Sequence, residues 1–143
     1  MTLSGVRWGT AFLICSCTLT LPPPAEAAEE RRLCSAEIAE LLTGNTALGE
    51  SRGAPTRQFF DASGSTTYLV KGGRPDAGRW KVDGEDHYCS TWRGGSWACY
   101  DVLGYDERFY WFQEGSLVSS DYRSPFTVVE GRQMTFQGGG SSE

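Results

Sequence analysis

The chain predicts a mainly β protein: a small antiparallel up-and-down barrel with one short N-terminal helix. Three observations lead there. From Asn45 onward, β-forming runs alternate with turn residues, giving roughly seven to nine strands at intervals of about ten residues. The connections are short, which suits hairpins and excludes parallel crossovers. Finally, the stretch His87–Val102 holds one cysteine in each of two strand-like runs about Gly94-Gly95. With Arg93-Gly94-Gly95 as a three-residue loop, Gly95 takes the left-handed position and Cys89 faces Cys99. A two-residue loop would put the sulfurs on opposite faces. Turn chemistry and cysteine spacing therefore agree on a cross-strand disulfide.

The elements follow in order. Arg7, the apolar run Trp8–Thr20 and the small-x-small Ala25-Glu26-Ala27 predict a signal peptide over residues 1–27, cleaved after Ala27. The run is shorter than the about 20 residues a bilayer requires, and Pro22-Pro23-Pro24 closes it. A lipoprotein anchored through Cys17 is a minor alternative. The expected location is periplasmic or secreted, with no stable membrane span in the mature chain.

Ala28–Leu33 is charged and reads as a loose arm. Ser35 reads as a helix N-cap. Ile38, Leu41 and Leu42 form an apolar face, and Gly44 suits the C-terminal cap, so the helix covers about residues 35–43. Strand-like runs then include Thr46–Glu50, Gln58–Phe60, Thr66–Val70, Arg79–Val82, Glu85–Trp92, Trp97–Leu103 and Arg108–Gln113. They continue with Ser116–Ser120 and Phe126–Val129; Thr46–Glu50 is a weak strand and Met134–Gln137 a candidate last one, so the count is roughly seven to nine. Residues 28–137 make a single domain, and 138–143 read as a disordered tail.

Asp83-Gly84 is a strong two-residue hairpin signal and sets Val82 opposite Glu85. Combined with the disulfide register, it puts Trp80, Val82, His87, Cys89, Thr91, Trp97, Cys99 and Asp101 on one face, expected to be the core. Arg79, Lys81, Asp86, Tyr88, Ser90, Trp92, Ala98, Tyr100 and Val102 fall on the other, expected to be solvated. Two candidate binding features follow. His87 beside Asp101 forms a polar pair at the barrel mouth, and Tyr88, Tyr100 and Trp92 form an outer aromatic patch.

Net charge is −5, and the leader's Arg7 and Glu26 cancel, so the mature chain keeps it. No basic stripe is present, which disfavours nucleic acid and anionic membranes as partners. Three mature cysteines and one histidine do not make a zinc site, and Cys34 is left over from the disulfide. Gly-x-Ser-x-Gly, phosphate-binding loops and calcium-loop spacing are absent. No metal, cofactor or catalytic residue is expected.

The segments Ser35-Ala36-Glu37-Ile38, Leu42-Thr43-Gly44-Asn45-Thr46 and Gly78-Arg79-Trp80-Lys81-Val82-Asp83-Gly84, with Cys89, Trp92 and Cys99-Tyr100, span most of the mature chain. In them the chain resembles a group of small exported bacterial proteins of unknown function. The resemblance implies a β-rich cell-envelope domain and supplies no catalytic residues. The expected function is non-enzymatic binding of a small apolar or aromatic molecule, or of an envelope protein. One alternative is a periplasmic protease inhibitor acting through the Ala28–Leu33 arm. Another is a small hydrolase using His87 and Asp101.

Overall fold

The computed structural model describes residues 29–113 and 123–137. The leader, the strand expected at 116–120 and the tail 138–143 lie outside the described residues. Among the described residues, nine strands and one helix run in chain order: β1 (Arg31–Arg32), α1 (Ser35–Leu42), β2 (Thr46–Ser51), β3 (Ala54–Phe60), β4 (Ser65–Val70), β5 (Asp76–Val82), β6 (Tyr88–Trp92), β7 (Ala98–Tyr105), β8 (Arg108–Phe112) and β9 (Arg123–Val129). From β2 onward each strand pairs antiparallel with the next, and β9 returns to β2. Eight strands therefore close into the meander barrel that the spacing predicts, and among the described residues no long sheet edge is left unpaired.

Tight turns set the register. At Ser51↔Ala54 the two central residues, Arg52 (φ 50°) and Gly53 (φ 80°), are both left-handed. That is the signature of a type I′ turn, whose twist matches the flanking strands. Arg93 (φ 54°) and Gly94 (φ 72°) repeat it, and the Gly95 N–H donates to the Trp92 carbonyl at 3.0 Å. The left-handed pair is thus Arg93-Gly94, and Gly95 is not part of it as expected. The strands still regain the predicted pairing, Cys89↔Cys99 and Tyr88↔Tyr100, and the two sulfurs are bonded.

The neighbouring hairpin departs from expectation. Val82 pairs with Tyr88, so the loop is the five residues Asp83–His87 and not Asp83-Gly84. The Asp83 carboxylate explains this choice. Its Oδ1 accepts the backbone N–H groups of Glu85 (3.0 Å) and His87 (2.9 Å), winding the loop around one side chain. Asp86 supplies the left-handed residue (φ 65°). Lengthening the loop by an odd number of residues flips every side chain beyond it. Trp80 and Val82 face inward as predicted, but so do Tyr88, Ser90, Trp92, Ala98, Tyr100 and Val102. His87, Cys89, Thr91, Trp97, Cys99 and Asp101 face outward. Trp97 is 43% exposed, with the Lys81 ammonium 4.3 Å from its ring centre.

One end of the barrel is plugged. The α1 residues Ile38 and Leu42 are fully buried and pack with Leu33, Phe60, Trp80, Tyr88 and Val102. Each such aliphatic side chain contributes about 1.5–3 kcal/mol by leaving water. The N-cap is Cys34, not Ser35: the Cys34 N–H donates to Glu37 Oε2 at 2.9 Å. Ser35 instead ties the helix to the β5–β6 loop, its hydroxyl donating to the Asp83 carbonyl (2.7 Å) and lying 2.8 Å from Asp86 Oδ1. Gly44 (φ 75°) ends the helix as its position predicts.

Two terminal segments differ from expectation. The arm is not loose over Arg31–Leu33. Arg31 and Arg32 pair with Gly104 and Leu103, Leu33 is buried, and Arg32 Nε donates to Asp101 Oδ1 at 2.8 Å. The edge of β7 beyond the start of β6 offers free backbone groups, and the arm satisfies them. Met134–Gln137 is not a strand. The chain there lies across the outside of β2 and β3, with the Thr46 hydroxyl donating to the Gly131 carbonyl (2.6 Å) and Arg57 donating to that of Gln133 (2.7 Å).

Candidate functional site

The end of the barrel opposite α1 opens into a cavity of about 370 Å³. The strands build it by alternation, because inward residues two apart stack along the wall. Gln58, Tyr68, Tyr88, Trp92, Tyr100, Trp111 and Phe126 contribute, with Glu50, Asp76 and Ser124 among the remaining lining residues. The rings pack against one another. Trp111 stacks on Phe126 at 4.0 Å between centres, and Tyr88 lies 4.5 Å from Trp111. Deeper in, Phe60 meets Trp80 and Tyr88 edge-on at 5.4 and 5.7 Å and forms the floor.

The polar groups of the wall are held in place. Gln58 Nε2 donates to the Tyr88 hydroxyl (2.9 Å) and to Thr66 Oγ1 (3.0 Å). Burial pushes the Tyr88 phenol up to about 12, so it stays protonated at neutral pH. At the opening, Asp76 is half-buried and directly opposite Tyr68. Its Oδ2 lies 3.4 Å from Arg93 Nη2, whose side chain is 81% exposed.

Gly78 shapes this corner. It faces inward opposite Trp92, and a Cβ there would stand 2.6 Å from both the Thr91 carbonyl oxygen and a Trp92 ring carbon. Only a glycine lets the Trp92 indole approach β5 this closely.

The aromatic residues Tyr88, Tyr100 and Trp92 are brought together as predicted, but as the cavity wall and not as an outer patch. His87 and Asp101 are also brought together, with Nε2 to Oδ1 at 3.6 Å, but outside the barrel at the helix-plugged end. His87 Nδ1 lies 3.0 Å from Asp83 Oδ2. Burial acts to raise the Asp83 pKa, but hydrogen bonds from the His87 backbone and ring and from Glu85 N–H outweigh it, so the carboxyl sits below its ordinary value. Asp83, Glu85 and His87 offer donor atoms within 4.8 Å of one another. Both Asp83 oxygens already stabilise the loop, which gives the cluster a structural task.

Sequence reasoning missed Gln58, Tyr68, Asp76 and Trp111. Gln58 was detectable in principle. It shares its strand face with Thr56 and Phe60, so it is a polar residue on an inward-facing row.

Neither family models, curated proteins nor solved structures give a significant match to this chain. Among the described residues, no helix is long and apolar enough to cross a membrane. The Cys89–Cys99 disulfide is compatible with an oxidising, exported location.

Proposed function

We propose that this chain is a non-enzymatic exported protein that holds one small, largely aromatic or apolar molecule inside its barrel. The observation that carries the reading is the cavity walled by Tyr68, Tyr88, Trp92, Tyr100, Trp111 and Phe126. An eight-stranded barrel has room for one small ligand when its own side chains do not fill it. About 370 Å³ is within the range of small-molecule sites, and a few fixed polar groups among aromatic walls are typical of them. The floor and plug keep the opposite end closed, so the ligand enters and leaves by one mouth. Export to the periplasm or beyond, with cleavage after Ala27, belongs to this reading. The disulfide supports it.

The test is titration with N-phenyl-1-naphthylamine, a neutral dye that fluoresces in apolar surroundings. Saturable binding of one dye per chain is expected. Ser124 lines the cavity directly opposite Trp111. Ser124→Trp should therefore fill the space and weaken dye binding at least about tenfold, the effect of losing roughly 1.4 kcal/mol. The variant should keep a cooperative unfolding transition. Unchanged dye affinity in Ser124→Trp would refute the cavity as the site.

A further inference from the structure

Resting on the reading of the barrel as a ligand cup, we infer that its occupant is a compact organic cation. Its ammonium sits at the corner formed by Asp76, Tyr68 and Trp92. Tyr68 and Asp76 are direct cross-strand neighbours. Trp92 lies over Gly78, two residues along β5 from Asp76, and its ring is 6.1 Å from that of Tyr68. One half-buried carboxylate and two ring systems therefore converge on one spot at the cavity mouth. Ring faces carry negative potential and attract ammonium groups, most strongly when water is excluded.

The charge on the wall has one sign. Among the described residues lining the cavity, the half-buried Asp76 and the exposed Glu50 carry formal charge, and no lysine, arginine or histidine does; Asp76 alone of these acts within the wall, since Glu50 is exposed like the rim cations. Among the described residues, the loops at this end carry Arg52, Lys71, Arg74 and Arg93, and all four are exposed. Magnitude decides between the two sets. Exposed rim charges are screened over a Debye length of about 10 Å and act mainly on the rate of approach. Groups in the wall touch the bound molecule where the effective dielectric is lower, and so govern its affinity. Arg93 meets Asp76 at two points, Nε to Oδ1 and Nη2 to Oδ2, but both are long at 3.4 Å and the Arg93 side chain is 81% exposed, so solvent screening keeps the pair weak and it yields to an incoming ammonium. An acid group placed at this corner would meet the Asp76 carboxylate.

The experiment is calorimetric titration of the full exported chain, disulfide intact, at pH 7 and physiological salt. Three indoles of similar size serve as probes: tryptamine (cation), 3-ethylindole (neutral) and indole-3-propionate (anion). Tryptamine should bind about tenfold more tightly than 3-ethylindole, and indole-3-propionate more weakly than either. Asp76→Asn should cost tryptamine about fivefold and 3-ethylindole less than twofold. Arg93→Asn keeps a residue suited to the left-handed turn and removes the competing cation, so it should tighten tryptamine. Preference for indole-3-propionate would overturn the inference in favour of the rim cations. Equal affinity for all three would overturn it while leaving the cup intact. Failure of every indole, with the neutral naphthylamine dye still bound, would also overturn it. Loss of dye binding as well would remove the reading beneath it.

Discussion

Gly78→Ala tests the geometry on which the candidate site rests. Gly78 does not adopt a left-handed φ, so alanine fits its backbone and any cost must be steric. The added methyl would meet the Thr91 carbonyl oxygen at 2.6 Å and two Trp92 ring carbons at 2.6 and 2.9 Å. The ring can swing, but the carbonyl belongs to the backbone of the β5–β6 ladder and moves only with the strand. Overpacking of this kind costs about 1–3 kcal/mol, and a backbone clash puts it near the upper end. Restricting the unfolded chain returns roughly 0.4–1 kcal/mol. A net loss of about 2 kcal/mol is expected, or roughly 8 °C in melting temperature for a domain of this size.

Urea unfolding followed by tryptophan fluorescence measures the loss, and near-ultraviolet circular dichroism reports the displaced Trp92. In a Trp92→Leu background the ring part of the penalty should vanish and the carbonyl part remain. A Gly78→Ala midpoint equal to or above that of the parent would refute the placement of Trp92, and with it the proposed ammonium corner.

Three further outcomes are expected. Ile38→Ala, at a fully buried position of the plug, should cost about 3 kcal/mol in urea unfolding; a loss below 1 kcal/mol would mean the helix does not seal the barrel. Replacing both Cys89 and Cys99 with serine, or reducing the bridge, should cost about 2 kcal/mol, because the cross-link spans a sequence separation of only 10; an unchanged midpoint would contradict its constraint on the unfolded chain. Stability should also fall in acid. The hydrogen bond from Arg31, joined by the Cys34 N–H, lowers the Glu37 carboxyl to about 2, and the Ser35 N–H followed by its hydroxyl holds Asp86 below its ordinary value. Folded-state values below the unfolded ones give stabilisation that is complete above about pH 4.5 and lost as pH falls through the folded values, toward about 2 for Glu37. Glu37→Gln with Asp86→Asn should lower the melting temperature at pH 7 and flatten the decline between pH 4.5 and 2. An equally steep decline would exclude these two carboxylates as its source.

Much of the fold was legible because it depends on local chemistry. Alternating β-forming runs, short connections and paired cysteines specify neighbouring strands one hairpin at a time. Gly44 marked the helix end because few residues other than glycine adopt a left-handed φ without strain. The inside–outside assignment of β6 and β7 was not legible. It hinged on whether Asp83-Gly84 would make a two-residue turn or Asp83 would gather a longer loop about its carboxylate. Ser35 of α1, 51 residues away in sequence, donates its backbone N–H to Asp86 at 2.7 Å and helps settle that choice. A contact of that range leaves no trace in local composition, and its consequence reverses every side chain on two strands.

The amino-acid sequence by itself thus determined the meander order, the helix and the Cys89↔Cys99 pairing, since each follows from short-range backbone preference and spacing. Tertiary structure supplied the contact that closes the expected barrel, β9 returning to β2, and alone decided that Tyr88, Tyr100 and Trp92 enclose a cavity while His87 and Asp101 lie outside at the plugged end. The physical reason is that closure and facing depend on the parity of each loop and on contacts between distant segments. A difference of one residue in a turn costs little locally but changes which groups meet the solvent.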